Sequence, residues 1–293
     1  MALDYFEGGE AREFSIVPYF YYHIPKSGGM TIRWSVGWGF EALKKLCSAE
    51  SRQLLSSILC DRVDDRSILQ RADGCVSQKC IFLASHLPFG VHRKFTQSFR
   101  LVTVLREPWS RAQSNYFYKK MRASEQASKA EFDAFLAQVE NCNVMTKQLG
   151  GILPEQSIGQ DVFERACQNL LDRFHAFGVE QDIPSIISDI LKTNCCPNVI
   201  SERINRTSAK YILECEETDQ FRDANEWDYR LYDFVKKYRR IPQSLSKKPS
   251  KYSILIREAG NDSYSSAKAD VLEVDVSNFA NGAKIQEDEL PVA

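Results

Sequence analysis

Lys26 sits in FYYHIPKSGGMTIRW (Phe20 to Trp34), where an aromatic, strand-like run enters a Ser-Gly-Gly turn and a helix-like pattern follows. A lysine and two glycines at such a junction are the parts of an anion cradle. The turn offers backbone N–H groups, the helix start offers the positive end of its dipole, and the lysine adds a full charge. Gly28 and Gly29 let the backbone approach a phosphate closely, Lys26 suits a bridging or leaving oxygen, and the hydroxyls of Ser27 and Thr31 can add bonds. The order G-x-x-x-x-G-K-[ST] of nucleoside triphosphatases is missing, because here the lysine precedes the glycines. That counts against an ATP-dependent phosphoryl-transfer enzyme. On this stretch alone, a tight turn with a solvated lysine is the plain alternative.

A second constellation lies in LVTVLREPWSRAQSNY (Leu101 to Tyr116). Arg106 ends a buried strand, Pro108 opens a helix, and Ser114 follows Arg106 by eight positions, so a guanidinium fork and a hydroxyl could grip a second phosphate. Taken alone, Arg106 could equally pair with Glu107 or cap the sheet. Arg111 either joins that grip or anchors the helix. The chain has four histidines. His86 ends a predicted strand, and an imidazole titrates near the working pH, so it can accept a proton without carrying a permanent charge. A sheet-end or helix-capping role is the alternative for it. His92, in GVHRK, is a reserve base in a setting that predicts solvation; His23 props the Lys26 loop, and His175 reads as structural. Neither histidines nor cysteines show metal-ligand spacing.

These residues need elements to hold them. Apolar or aromatic runs predict strands at Ile16 to Ile24, Cys80 to His86, Arg100 to Arg106 and His175 to Glu180. Helix-like patterns lie between and after them, at Thr31 to Leu46, Ser51 to Leu59, Pro108 to Arg122, Glu131 to Glu140, Asp161 to Asp172, Pro184 to Lys192 and Asp223 to Arg239. Alternating strands and helices predict an α/β fold, with a central, mainly parallel sheet flanked by helices on both faces. Ligands of such sheets bind beyond the C-terminal strand ends. His23, His86 and Arg106 all stand at predicted strand ends, which implies one shared cleft. Residues 1–241 form the predicted domain; residues 242–293 turn polar and form an extension, with one hairpin between YSILIRE and DVLEVDV.

Composition narrows the function classes. The chain has 293 residues, 43% hydrophobic, enough for a sizeable core. Its 38 basic against 39 acidic residues give a formal charge of -1, so nothing global marks a nucleic-acid binder and any anion site must be local. The acidic N-terminus lacks a signal-peptide start, and no window suits a membrane span. The nine cysteines lack CxxC spacing and read as reduced thiols of a cytoplasmic protein. The sequons at Asn205 and Asn261 would matter only in a luminal enzyme cut from a Golgi anchor.

Together, HIPKSGGMT and LREPWSRAQSNY resemble the two donor-binding motifs of sulfotransferases that use 3'-phosphoadenosine 5'-phosphosulfate (PAPS). The likeness is to the branch containing the heparan-sulfate 2-O- and 6-O-sulfotransferases and their bacterial relatives, whose patterns are H-I-P-K-T-G-G-T-[ST] and L-R-[DN]-P-x-x-R-x-x-S-x-[YW]. SHLPFGVH, NVMTKQLGG, FGVEQ, INRTSA and NEWDYRLYDFVKK follow in the same order, so the resemblance spans roughly residues 16 to 240. Ser27 and Met30 depart from the pattern, and Met30 removes a hydroxyl.

The resemblance implies a P-loop-like three-layer fold that binds PAPS and releases its bisphosphate product (PAP) without a metal. It implies Lys26, Ser27, Gly28, Gly29, Met30 and Thr31 around the 5'-phosphosulfate, Arg106 and Ser114 on the 3'-phosphate, Arg206 and Thr207 toward the nucleotide, and His86 as the catalytic base. With a neutral chain, the expected acceptor is a small natural product, uncharged or cationic, bearing a hydroxyl or amine-type nitrogen. Tyr21, Tyr22, Trp34, Trp38, Phe89, Trp109, Tyr116, Phe117 and Tyr118 are the aromatic supply for its pocket. A saccharide acceptor is the alternative within the enzyme reading; a non-catalytic nucleotide-binding or scaffold protein is the alternative outside it.

Overall fold

The structure is a computed structural model that describes residues 2–7, 10–57, 61–196, 215–242, 252–254 and 272–274. Ahead of the main sheet, β1 (Ala2–Glu7) and β2 (Glu10–Ser15) form an antiparallel hairpin. The sheet itself consists of β3 (Tyr19–Tyr22), β4 (Asp61–Arg62), β5 (Phe82–Ser85), β6 (Arg100–Leu105) and β7 (Phe174–Val179). All five are parallel, in the order β4-β5-β3-β6-β7. The helices are α1 (Gly29–Leu46), α2 (Ala49–Ser57), α3 (Pro108–Ala123), α4 (Lys129–Leu136), α5 (Val144–Gly150), α6 (Gln160–Arg173), α7 (Ile183–Thr193), α8 (Asp219–Ala224) and α9 (Glu226–Tyr238). In the extension, β8 (Tyr252–Ile254) pairs antiparallel with β9 (Leu272–Val274), where the sequence predicts a hairpin.

Strand side chains alternate between the faces, so each strand seeds two cores. Tyr19 and Tyr21 pack with Ile32, Val36 and Phe40 of α1 and with Ile186, Ile187 and Ile190 of α7. Phe20 and Tyr22 point the other way, toward Met145 and Leu149 of α5, Leu170 of α6, and Leu231 and Val235 of α9. The result is a three-layer α/β sandwich in which every residue of β3 is fully buried. Burying each large apolar side chain contributes roughly 1.5–3 kcal/mol, which holds the central strand firmly. In β7 the register shifts after Phe174, so that Ala176 pairs with Val102. His175 is the extra residue; its Nε2 lies 2.9 Å from Asp189, whose carboxylate also accepts from Tyr19 at 3.1 Å. Its predicted structural role stands.

Two expected helices come out differently. The pattern at Asp223 to Arg239 is broken by Asn225, whose side chain takes up Phe221 O and the Asn143 N–H, ending α8 and starting α9. The helix expected over Glu131 to Glu140 stops at Leu136, and a 3-10 turn follows over Val139–Asn141.

Candidate active site

From β3 the chain runs out to β4, returns to β5, and then crosses β3 to reach β6 and β7. The connections leaving β3 and β6 therefore diverge from one crevice at the C-terminal end of the sheet, the place where parallel α/β sheets bind ligands. The structure brings the Lys26 and Arg106 stretches together there, since Arg106 Nη1 donates to Lys26 O at 3.2 Å.

The loop after β3 is tightly folded. Lys26 and Gly28 both have positive φ, 70° and 82°. For a lysine this is a sparsely populated conformation, held by its surroundings. Gly28 and Gly29 are also required by packing: a β-carbon would lie 2.3 Å from Ile183 Cδ1 at Gly28 and 1.8 Å from His23 Nε2 at Gly29. Gly28 caps α1 without a side chain, and the first turn carries no acid. The N–H groups of Gly29, Met30 and Thr31 are thus the open donors of a helix start. Ser27 departs from expectation. It is fully buried, so its hydroxyl faces inward rather than toward the cleft, and Oγ has no partner.

Lys26 Nζ rests 3.6 Å above the Tyr118 ring of α3. Burial, and secondarily the charge of Arg106, lower its pKa to about 8. Arg106 is held on its other side by Glu180 of the FGVEQ stretch, 3.0 Å from Nε but without hydrogen-bond alignment. Glu107, the sequence alternative for pairing Arg106, instead caps α3, accepting from Trp109 N and Ser110 N at 3.0 and 2.7 Å. Ser110, Ser114 and Tyr118 recur every four residues and share one helix face. Tyr118 meets Lys26, so Ser114 lies on the face turned to the loop. Arg111 is buried and donates from one Nη to Asn141 O at 3.3 Å, the arrangement of a helix anchor, while its Nε has no partner.

His86 follows β5, the other neighbour of β3. Its Nδ1 lies 2.6 Å from His23 O, and a carbonyl only accepts, so Nδ1 carries the hydrogen and Nε2 keeps its lone pair. The backbone N–H of His86 donates to Asp64 at 2.9 Å. The His23 ring packs against both Tyr21 and His86, with centroids at 5.3 and 4.3 Å. Burial lowers both histidine pKa values, His23 the further; neighbouring cations add to the effect at His23, whereas at His86 the Asp64 carboxylate partly opposes it. A neutral imidazole with a free Nε2 has the form a general base needs. His92 corrects the prediction of a solvated residue. Its Nδ1 meets Tyr22 OH at 2.5 Å, and burial, then Arg93, push its pKa down to about 4.

Beside His86 a pocket of about 200 Å³ opens among Pro25, Asp64, Leu87, Val144, Lys147 and Ile152, and others. None of the nine predicted aromatics lines it. Tyr21 and Tyr22 are core, Tyr116 and Phe117 pack with Phe132 and Phe135, Trp109 packs against Phe132 and Phe221, and Trp34 packs on Trp38. Phe89 alone among them reaches an adjoining trough of about 420 Å³. Aromatic residues in this chain are spent on the layers because they bury the most apolar area.

The NVMTKQLGG and NEWDYRL stretches form a buried staple. Asp228 accepts from Met145 N, Thr146 N and Thr146 Oγ1, while Asn143 exchanges bonds with Asn225, Ala224 and Asp228. It fixes α5, and with it Gln148 and Lys147, which the motif reading did not single out. Gln148 Nε2 reaches Ser85 O and Leu87 O at 3.3 and 3.4 Å on either side of His86. Arg206 and Thr207 lie outside the described residues, as do both sequons.

Among the described residues, no helix is long and apolar enough to cross a membrane. The corner gathers groups suited to phosphate oxygens, open N–H donors and Lys26 at the first junction and a guanidinium at the second, while the buried Ser27 hydroxyl points away from it. No protein-family model matches the chain, and no curated protein matches it.

Proposed function

We propose that the protein is a sulfotransferase that moves a sulfuryl group from PAPS to a hydroxyl or amine-type nitrogen of a small acceptor. The observation that carries this reading is the direct hydrogen bond from Arg106 to Lys26 O, which joins two anion-binding groups beside an uncapped helix start. Lys26, Gly28, Gly29, Met30 and Thr31 would hold the 5' end, and Arg106 with Ser114 the 3'-phosphate. The bound donor supplies the sulfuryl group and a phosphate leaving group.

The residues divide the remaining work. Lys26 and the α1 N–H groups meet the negative charge that grows on the leaving oxygen. His86 Nε2 takes the acceptor proton, and its Nδ1–H, donated to His23 O, steadies the imidazolium that forms. The contact of Lys26 with Tyr118 does not oppose this, because a cation–π contact is worth ~0.5–2 kcal/mol, and a hydrogen bond to a charged group ~1.5–3 kcal/mol.

The test is incubation with labelled PAPS and a metabolite pool, with and without chelator. Label in a small organic product, insensitive to chelator, is the expected result; label nowhere rejects the reading. His86→Ala is expected to lower turnover roughly 100-fold or more while PAP still binds in calorimetry. Near-normal turnover in that variant would remove His86 as the base.

A further inference from the structure

Lys147 is a cation that donor binding leaves unused. It is 1% exposed and donates from Nζ to Val139 O and Pro154 O, both at 2.7 Å. An ammonium has three donors, so one remains. Among the described residues no carboxylate lies within ion-pair distance of it, although Asp228, Glu140 and Glu155 act on it from farther away. Burial consequently pulls its pKa below the ordinary lysine value.

Lys147 lines the same pocket as His86. The other charges there are already matched: Asp64 is bound by Arg62, and Arg66 takes both oxygens of Glu155 at 2.9 and 3.4 Å. The rest of the wall is largely apolar, with Leu87, Val144 and Ile152. Lys147 therefore brings to the wall of the pocket a buried ammonium that has no ion-pair partner among the described residues and one hydrogen not bonded to a carbonyl. A buried cation of this kind gains most from a monoanion that can accept a single charge-assisted bond.

We propose that this pocket takes an acceptor bearing a carboxylate as well as the reacting hydroxyl or amine, with the carboxylate on Lys147 and the nucleophile at His86 Nε2. Such an acceptor replaces the uncharged or cationic molecule that the sequence suggests; a cation would meet Lys147 without a counter-charge. The volume of about 200 Å³ corresponds to roughly seven water-sized groups, which suits a small hydroxy or amino acid. A longer molecule would continue into the trough of about 420 Å³, which shares Pro88 and Leu153 with the pocket. The assignment of the nucleophile rests on the sulfotransferase reading; that of the carboxylate rests on Lys147 alone.

The test uses the full chain and ω-hydroxy acids from glycolate to 6-hydroxyhexanoate, each paired with its primary amide, in ligand-observed NMR titrations. At least one acid is expected to bind wild-type protein tenfold or more tightly than its amide. Lys147→Arg should keep that preference and Lys147→Met should erase it. If Lys147→Met does not fold, the wild-type pairs and Lys147→Arg decide. Parity of every acid with its amide, binding by none of the acids, or a preference that survives Lys147→Met overturns the proposal. Transfer of label to neutral alcohols and acids alike would sink this inference and keep the sulfotransferase reading; acid-selective binding without any transfer would do the reverse.

Discussion

Two neighbouring strands, β3 and β6, each feed a helix at the same edge of the sheet, yet the helix after β6 closes its own N-terminus and the helix after β3 leaves its own open. At α3, the Glu107 carboxylate accepts two backbone N–H bonds and places a negative charge on the dipole. At α1, Gly28 has no side chain to offer and no acid follows in the first turn. An incoming anion thus finds donors free at the first junction and already filled at the second. What the second junction offers is Arg106, outside the helix. The contrast teaches that an anion site is read from which donors remain open, since a motif residue such as Arg111 can be buried by the fold and bonded to a carbonyl thirty positions away.

This contrast can be broken in three ways. The largest effect is expected from Lys26→Ala, which removes a full charge beside the open donors; PAP affinity measured by calorimetry should fall roughly 30-fold or more, about 2–3 kcal/mol. A loss below threefold would mean that the α1 backbone binds alone. Next comes pH. Lys26 must be protonated to hold an anion, and its pKa of about 8 belongs to the unliganded protein. Accordingly kcat/KM for the donor should be roughly halved near pH 8 and fall about tenfold per further unit, while kcat, which reports the complex, holds to higher pH. On the acid side, burial keeps His86 neutral below the ordinary histidine range, so the acid limb should lie below pH ~6.5. The smallest effect sharpens the comparison: Glu107→Ala should cost about 1 kcal/mol of stability in thermal denaturation and leave PAP affinity within twofold. A clear gain in affinity would show that α3 competes for the anion.

Much of the scaffold was legible. The run at Tyr19–Tyr22, Pro108 at a helix start, and the alternation of strands with helices led to four of the five strands of the sheet, missing the two-residue β4 at its edge, and to α1 and α3 within about two residues. The β1–β2 hairpin was missed, although alternating residues around Gly8-Gly9 are a hairpin signal in themselves. Helix α5 was missed for a different reason. Its residues Met145 to Gly150 are all buried, so no polar face marks it, and its position is held by Asp228 and Asn225 more than eighty residues away.

By itself, the sequence determined the chemistry available at two places, because a lysine with glycines and an arginine before a proline act through local backbone geometry. Only the tertiary structure decided which of those groups stay free. It buried Arg111 and Ser27, fixed the His86 tautomer through a carbonyl sixty-three positions earlier, and brought Lys147 to the same pocket. Pairing and burial depend on contacts between distant segments, and these are set by how the layers pack around β3.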